Sequence, residues 1–139
     1  GLWENVVFEY PARIPYLDVL VHLNAAKGVF ILGSTEPHYT PSKVYQAVLS
    51  GKPIWAVLHK SSTACEVIRA SGAGVVLDFD GEEGLHIITE CFADNFREYK
   101  GFLNDYDPKK IKEAELEKFS AYNVTGSLAK LLDIASGTP

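Results

Sequence analysis

Three short runs in this chain, GVFIL at 28–32, PIWAVL at 53–58 and GVVLDF at 74–79, are almost continuously apolar. A strand wetted on one face alternates in hydropathy, whereas a strand covered on both faces does not, so these runs predict buried strands of a parallel sheet. A fourth run, Val6 to Glu9, gives the same strand signal near the start. Parallel neighbours need a crossover between them. Segments with helical spacing fall where crossovers are required, at Pro15 to Ala26, Pro41 to Ser50 and Ser62 to Ser71, each opening on a capping residue or ending near a glycine. The fold class that follows is α/β, a doubly wound, Rossmann-like parallel sheet of about four strands flanked by helices. Beyond Asp80 the pattern is helical only. Glu82 to Tyr99 carries apolar residues at Leu85, Ile88, Phe92 and Phe96, and Pro108 to Ala135 supplies one or two further amphipathic helices expected to pack back on the sheet.

Composition narrows the partners. With 139 residues, 47% of them apolar, the chain suits a single domain spanning 1–139. The formal net charge is −5 and Lys and Arg are scattered among acids, so no basic face offers itself to a phosphate backbone and no nucleic acid is expected. Cys65 and Cys91 have neither C-x-x-C spacing nor paired histidines nearby, which argues against a zinc site or a disulfide scaffold and for reduced thiols on helices. The four histidines, His22, His38, His59 and His86, are dispersed, and no metal site is expected. No apolar run approaches the roughly 20 residues needed to span a bilayer and no signal-like start is present, so a cytoplasmic setting is expected. The chain opens at Gly1 and Leu2 and contains no methionine, and it reads as part of a longer polypeptide.

The most informative stretch is ILGSTEPHYTPSKVYQAVLSGKP, residues 31–53, which joins one buried strand to a helix and the next strand. Open α/β sheets collect ligands at the carboxyl ends of their strands, which places Gly33, Ser34, Thr35, Glu36, Pro37, His38 and Tyr39 at the mouth of any site. Thr40 is suited to the N-cap and Pro41 to the first helical position, with Ser42 and Lys43 in the first turn. Free backbone N–H groups there, with the Ser42 hydroxyl and the Lys43 ammonium, would favour a phosphate or diphosphate. On spacing alone, an ordinary capped helix with a solvated lysine is the commoner outcome.

The run TPSKVYQAVLSGKPIWAV is similar to the Pro-Ser-Lys helix and Gly-Lys-Pro turn of the GT-B glycosyltransferases (glycosyl transferases group 1 type). Downstream, VIRASGAGVVLDFD resembles their following helix and strand, and upstream NVVFEYPARIPYLDVLVHLNAAKGVFILGS resembles the stretch leading into the donor loop. The likeness covers nearly the whole chain and is most specific at its centre. It implies the carboxyl-terminal, donor-binding half of a two-domain transferase of carbohydrate metabolism, truncated, which takes a nucleotide-diphosphate sugar and needs no metal. It further implies that the loop from Ser34 to Thr40, with Ser42 and Lys43, contacts the diphosphate. Lys43 would then neutralise charge developing on the leaving group. Gln46 stands where the family commonly places a glutamate that accepts from the ribose hydroxyls; an amide oxygen still accepts but without the charge-assisted bond. Glu36 reads equally as a sugar or ribose contact and as a surface acid.

The chain departs from the family in lacking two leading strands, an Arg and a Lys ahead of Val6, and the whole amino-terminal acceptor domain. No residue here is assignable as the acceptor-activating base, so isolated activity is not expected. Sheet edges left open by the missing strands favour pairing with a second copy, as a homodimer. Trp3, Tyr10, Tyr16 and Trp55 read as packing residues, Ser61 to Thr63 as a helix cap, and Lys109 to Lys118 as a solvated helix face. Ser34 lacks the nucleophile elbow and a positioned His. The rival reading is a noncatalytic α/β interaction module with a decayed donor site. A flavodoxin-like protein is the weakest option, because neither a G-x-G-x-x-G loop nor a P-loop is present.

Overall fold

The computed structural model describes residues 6–137, so Trp3 and the last two residues of the expected tail at 136–139 lie outside it. Strands β1 (Val29–Leu32), β2 (Ile54–His59) and β3 (Gly74–Phe79) form a three-stranded sheet in the order β1-β2-β3. Both pairings are parallel, and the register aligns Ile31 with Ala56 and Ala56 with Val76, so one pleat face continues across all three strands. The helices are α1 (Tyr16–Ala25), α2 (Val44–Leu49), α3 (Thr63–Ser71), α4 (Leu85–Asp105), α5 (Ala114–Glu117) and α6 (Ala121–Ser136), with a 3-10 turn at Pro108–Lys110.

Two apolar layers hold the sheet. On one face Ile31, Ile54, Ala56, Leu58 and Val76 meet Val44 and Val48 of α2, Ala64, Val67 and Ile68 of α3, and Leu116 of α5. On the other, Val57, Leu77 and Phe79 pack with Ile88 of α4. Trp55 extends that second layer: its ring lies 4.9 Å from both Phe92 and Phe96 and 5.1 Å from Phe30. Its indole N–H donates to Asn95 Oδ1 at 2.8 Å, satisfying the one polar atom that burial would otherwise orphan.

Local signals explain the elements. In α3 the Ser62 hydroxyl accepts the Ala64 N–H, and the helix ends at Gly72, whose φ of 70° is open to glycine at little cost. Burial of Ala64, Cys65, Val67, Ile68 and Ser71 marks one stripe of that helix against the sheet. Burial also pushes the Cys65 thiol up, so it stays protonated. Gly74 opens β3 where a Cβ would collide with the Ile54 carbonyl, and only glycine lets the two strands approach there.

Three expectations need correction. Val6 to Glu9 contributes no strand to the sheet: Val7 makes an isolated bridge, and Val6 and Phe8 are exposed. An apolar run has the propensity for a strand, but it becomes one only beside a neighbour whose N–H and C=O groups it can pair with. The carboxyl-terminal helices do pack back in the case of α4 and α5, yet α6 buries none of its residues. Ser120 and Gly137 close the ends of α6, while Leu128, Leu131, Leu132 and Ile134 remain exposed, because α6 meets no apolar face of the sheet. Finally, Lys109 to Lys118 is not one solvated helix but the 3-10 turn followed by α5, with Leu116 turned into the core.

The two kinds of apolar residue should differ sharply in worth. Ile54→Ala removes a side chain with 0% exposure and is expected to cost about 2–5 kcal/mol in a urea melt. Leu131→Ala, on the uncovered α6, should stay within about 0.5 kcal/mol of the parent. Equal losses for the two would contradict the packing described.

Candidate functional site

The loop after β1 is built by short-range bonds. Gly33 extends the strand ladder, its N–H donating to the Val57 carbonyl at 2.8 Å. A Cβ on Gly33 would sit 2.9 Å from Leu58 Cδ2 and 3.3 Å from Leu58 Cα, so the glycine is there for strand packing. Ser34 Oγ accepts the Glu36 N–H at 3.2 Å, and the Glu36 carbonyl accepts the Tyr39 N–H at 3.1 Å, folding the segment into consecutive turns. Ser34 and Thr35 are half-buried, and the Glu36 side chain is exposed.

The helix after this loop starts later than its sequence implies. Thr40 does not cap it: the Thr40 hydroxyl lies 2.9 Å from the Thr63 hydroxyl at the start of α3, tying together the segments that leave β1 and β2. Pro41 is buried, its carbonyl accepts the Val44 N–H at 3.0 Å, and Ser42 and Lys43 form a turn ahead of α2. Lys43 itself occupies the cap position with no side-chain cap bond. The engaged threonine and the buried proline together displace the helix start by about one turn.

Ser42, Lys43 and Gln46 nevertheless come together. They line a groove of about 440 Å³ with Tyr39 and Pro41, closed on one side by β1 and on another by Val19 and Leu23 of α1. The groove runs along the outer edge of β1, which has no sheet neighbour among the described residues and where Leu32 is 66% exposed. Its volume falls within the ~300–1,000 Å³ usual for small-ligand sites. Gly33, Ser34, Thr35, Glu36 and Thr40 are not among its lining residues. The structure thus divides the eight sequence-derived candidates into three that share a groove and five that belong to the loop beside it.

Two features escaped the sequence reading. Gln46 Nε2 donates to the Tyr16 hydroxyl at 3.3 Å, across 30 residues of chain. The second lies at the carboxyl ends of β2 and β3. There His59 is 3% exposed and its Nδ1 accepts the Ser61 N–H at 3.0 Å, which leaves the proton of the neutral ring on Nε2. Nε2 stands 3.8 Å from Asp80 Oδ1, too far for a hydrogen bond but near enough for attraction, and Lys60 Nζ pairs with Asp80 Oδ2 at 2.6 Å. The hydrogen bond from Lys60, with the ammonium charge it carries, holds the Asp80 carboxyl below the usual aspartate value. Position at strand ends, rather than histidine spacing, was the signal that could have marked His59 and Asp80.

Among the described residues, no group of three or more His, Cys, Asp or Glu side chains is placed to hold a metal ion. Nor is any described helix long and apolar enough to cross a membrane. Compared with protein-family models, curated proteins and solved structures, the chain gives no match.

The Asp80 pair sets a pH dependence with a definite sign. A carboxyl lowered in the folded state contributes stability above the ordinary aspartate value, and that contribution is lost as pH falls through the folded value. Carboxyl-carbon NMR should place the Asp80 midpoint below that of an unperturbed aspartate and move it upward in Lys60→Ala. An unchanged midpoint in the variant would show that Lys60 is not the cause.

Proposed function

We propose that this chain is the donor-binding part of a glycosyltransferase, and that the groove along the β1 edge receives the nucleoside diphosphate of a nucleotide-diphosphate sugar. The observation that carries the reading is the shared groove: a hydroxyl, an ammonium and a carboxamide, from Ser42, Lys43 and Gln46, line one cleft beside a half-exposed aromatic, Tyr39. The resemblance of residues 40–57 to the Pro-Ser-Lys helix and Gly-Lys-Pro turn of GT-B glycosyltransferases supports the same assignment. An ammonium next to a hydroxyl offers several donors to clustered phosphate oxygens. A carboxamide one turn further on suits neutral hydroxyls, such as those of a ribose.

In this reading Lys43 stabilises the charge that grows on the diphosphate as the bond to the sugar breaks. Ser42 adds a neutral donor, and Gln46 accepts from ribose. Gly33, Ser34, Thr35, Glu36 and Thr40 shape the loop that borders the cleft, with Thr40 anchoring it to α3 through Thr63. The acceptor and its activating base belong to an amino-terminal domain, so transfer requires that partner. The setting proposed is cytoplasmic.

Calorimetric titration with UDP, GDP, ADP, CMP and TDP tests the assignment, with one of them expected to bind saturably. A hydrogen bond to a charged group contributes about 1.5–3 kcal/mol, so Lys43→Ala should weaken that affinity about ten- to a hundredfold. Equal affinity in the variant would remove Lys43 from the site. Failure of every nucleotide to bind would favour the noncatalytic interaction module.

A further inference from the structure

Of the four histidines, His59 is the one that is buried, at 3% exposure on the carboxyl end of β2. Two bonds to this residue close the turn that leads into α3. Its carbonyl accepts the Ser62 N–H at 2.9 Å, and its ring Nδ1 accepts the Ser61 N–H at 3.0 Å. A backbone N–H can only donate, so the second bond fixes Nδ1 as an acceptor and the ring as neutral, with its proton on Nε2. The carbonyl bond is indifferent to protonation of the ring, whereas the ring bond is not. A proton taken from solvent onto Nδ1 occupies the lone pair that holds Ser61, and two N–H groups would then face each other.

We infer that His59 is a proton-controlled latch on residues 59–62: the neutral ring holds the Ser61 N–H, and the protonated ring releases it and turns its charge toward Asp80. A buried cation needs a counter-charge at hand. Asp80 Oδ1, just past the end of β3, lies 3.8 Å from Nε2, while Oδ2 is taken by Lys60 Nζ at 2.6 Å. A small closure of that gap brings Nε2–H within hydrogen-bond distance of the carboxylate. From α3 the Cys65 thiol meets the His59 carbonyl at 3.4 Å and is kept protonated by burial, and Arg69 is engaged by Asp78. Phe79 of β3 presents its ring at 6.0 Å, and Glu82 and Glu83, in the turn ahead of α4, form no ion pair with the imidazole. Among the described residues, Asp80 is thus the charged group that pairs with the ring. The Ser62 bond and the ladder bond from the Lys60 N–H to the Phe79 carbonyl, at 2.8 Å, do not involve the imidazole. Release at Ser61 therefore leaves the strand end and the start of α3 in place.

Nuclear magnetic resonance on the full chain tests this, with the His59 ring nitrogens and the Ser61 and Ser62 amides followed from neutral to acid pH. At neutral pH the ring proton should sit on Nε2. As the ring gains its second proton, the Ser61 amide should shift with the same midpoint. Its protection against hydrogen exchange should fall about two- to tenfold, the range for one neutral hydrogen bond, while Ser62 keeps its own. In His59→Asn the side-chain oxygen accepts the N–H two residues on, as Asn does in turns, so Ser61 should stay protected at every pH. The inference would be overturned by an Nδ1–H tautomer at neutral pH, by a ring that stays neutral until the chain unfolds, or by a Ser61 amide indifferent to the ring's protonation. Joint loss of protection at Ser61 and Ser62, or the parent's acid response persisting at Ser61 in a folded His59→Asn, would overturn it equally.

Discussion

Strand β2 is hydrogen-bonded along both edges and covered on both faces, and the rest of the structure is arranged by that constraint. Ile54, Ala56, Val57 and Leu58 are each at most 2% exposed, and Trp55 gathers Phe30, Phe92 and Phe96 around its ring. Burying a large aliphatic side chain is worth about 1.5–3 kcal/mol, so a slip of register in β2 would forfeit several such contributions at once. Fixing β2 fixes the carboxyl end of β1, because the ladder continues through Gly33 to the Val57 carbonyl. The loop that borders the groove therefore starts from a rigid point, and Thr40 and Thr63 tie it down again at its far end.

The three strands of this sheet were legible because two-sided burial leaves a run of apolar residues that polar alternation would interrupt. PIWAVL at 53–58 and GVVLDF at 74–79 coincide with β2 and β3 to within one residue at each end. Val6 to Glu9 misled for the complementary reason: strand propensity describes the side chains, whereas a strand also needs a neighbour, and the apolar run contains no information about one. The same limit applies to α6. Its spacing shows an apolar face, but spacing carries no information about whether another element covers that face.

Within the candidate site, residues close in sequence are easier to bring together on paper than residues far apart. Ser42, Lys43 and Gln46 fall within five residues, and a turn followed by a helix brings them to one groove. Gly33 stands at the mouth of the site in sequence, yet its demand for space comes from Leu58 on the next strand. Thr40 has the chemistry of a cap, but a hydroxyl 23 residues away in the chain competes for it. The Tyr16–Gln46 bond depends on tertiary placement entirely, whereas His59 and Asp80 carry one local mark, their positions at the ends of predicted strands.

The account stands or falls on where a nucleoside diphosphate sits. A backbone amide NMR titration locates it directly, since shifts report residues one by one. Saturable shifts concentrated at Tyr39, Ser42, Lys43 and Gln46, with Trp55, Phe92 and Phe96 on the opposite face unmoved, are the result the account predicts. Shifts centred on the aromatic face around Trp55, or spread evenly over the chain, would contradict it.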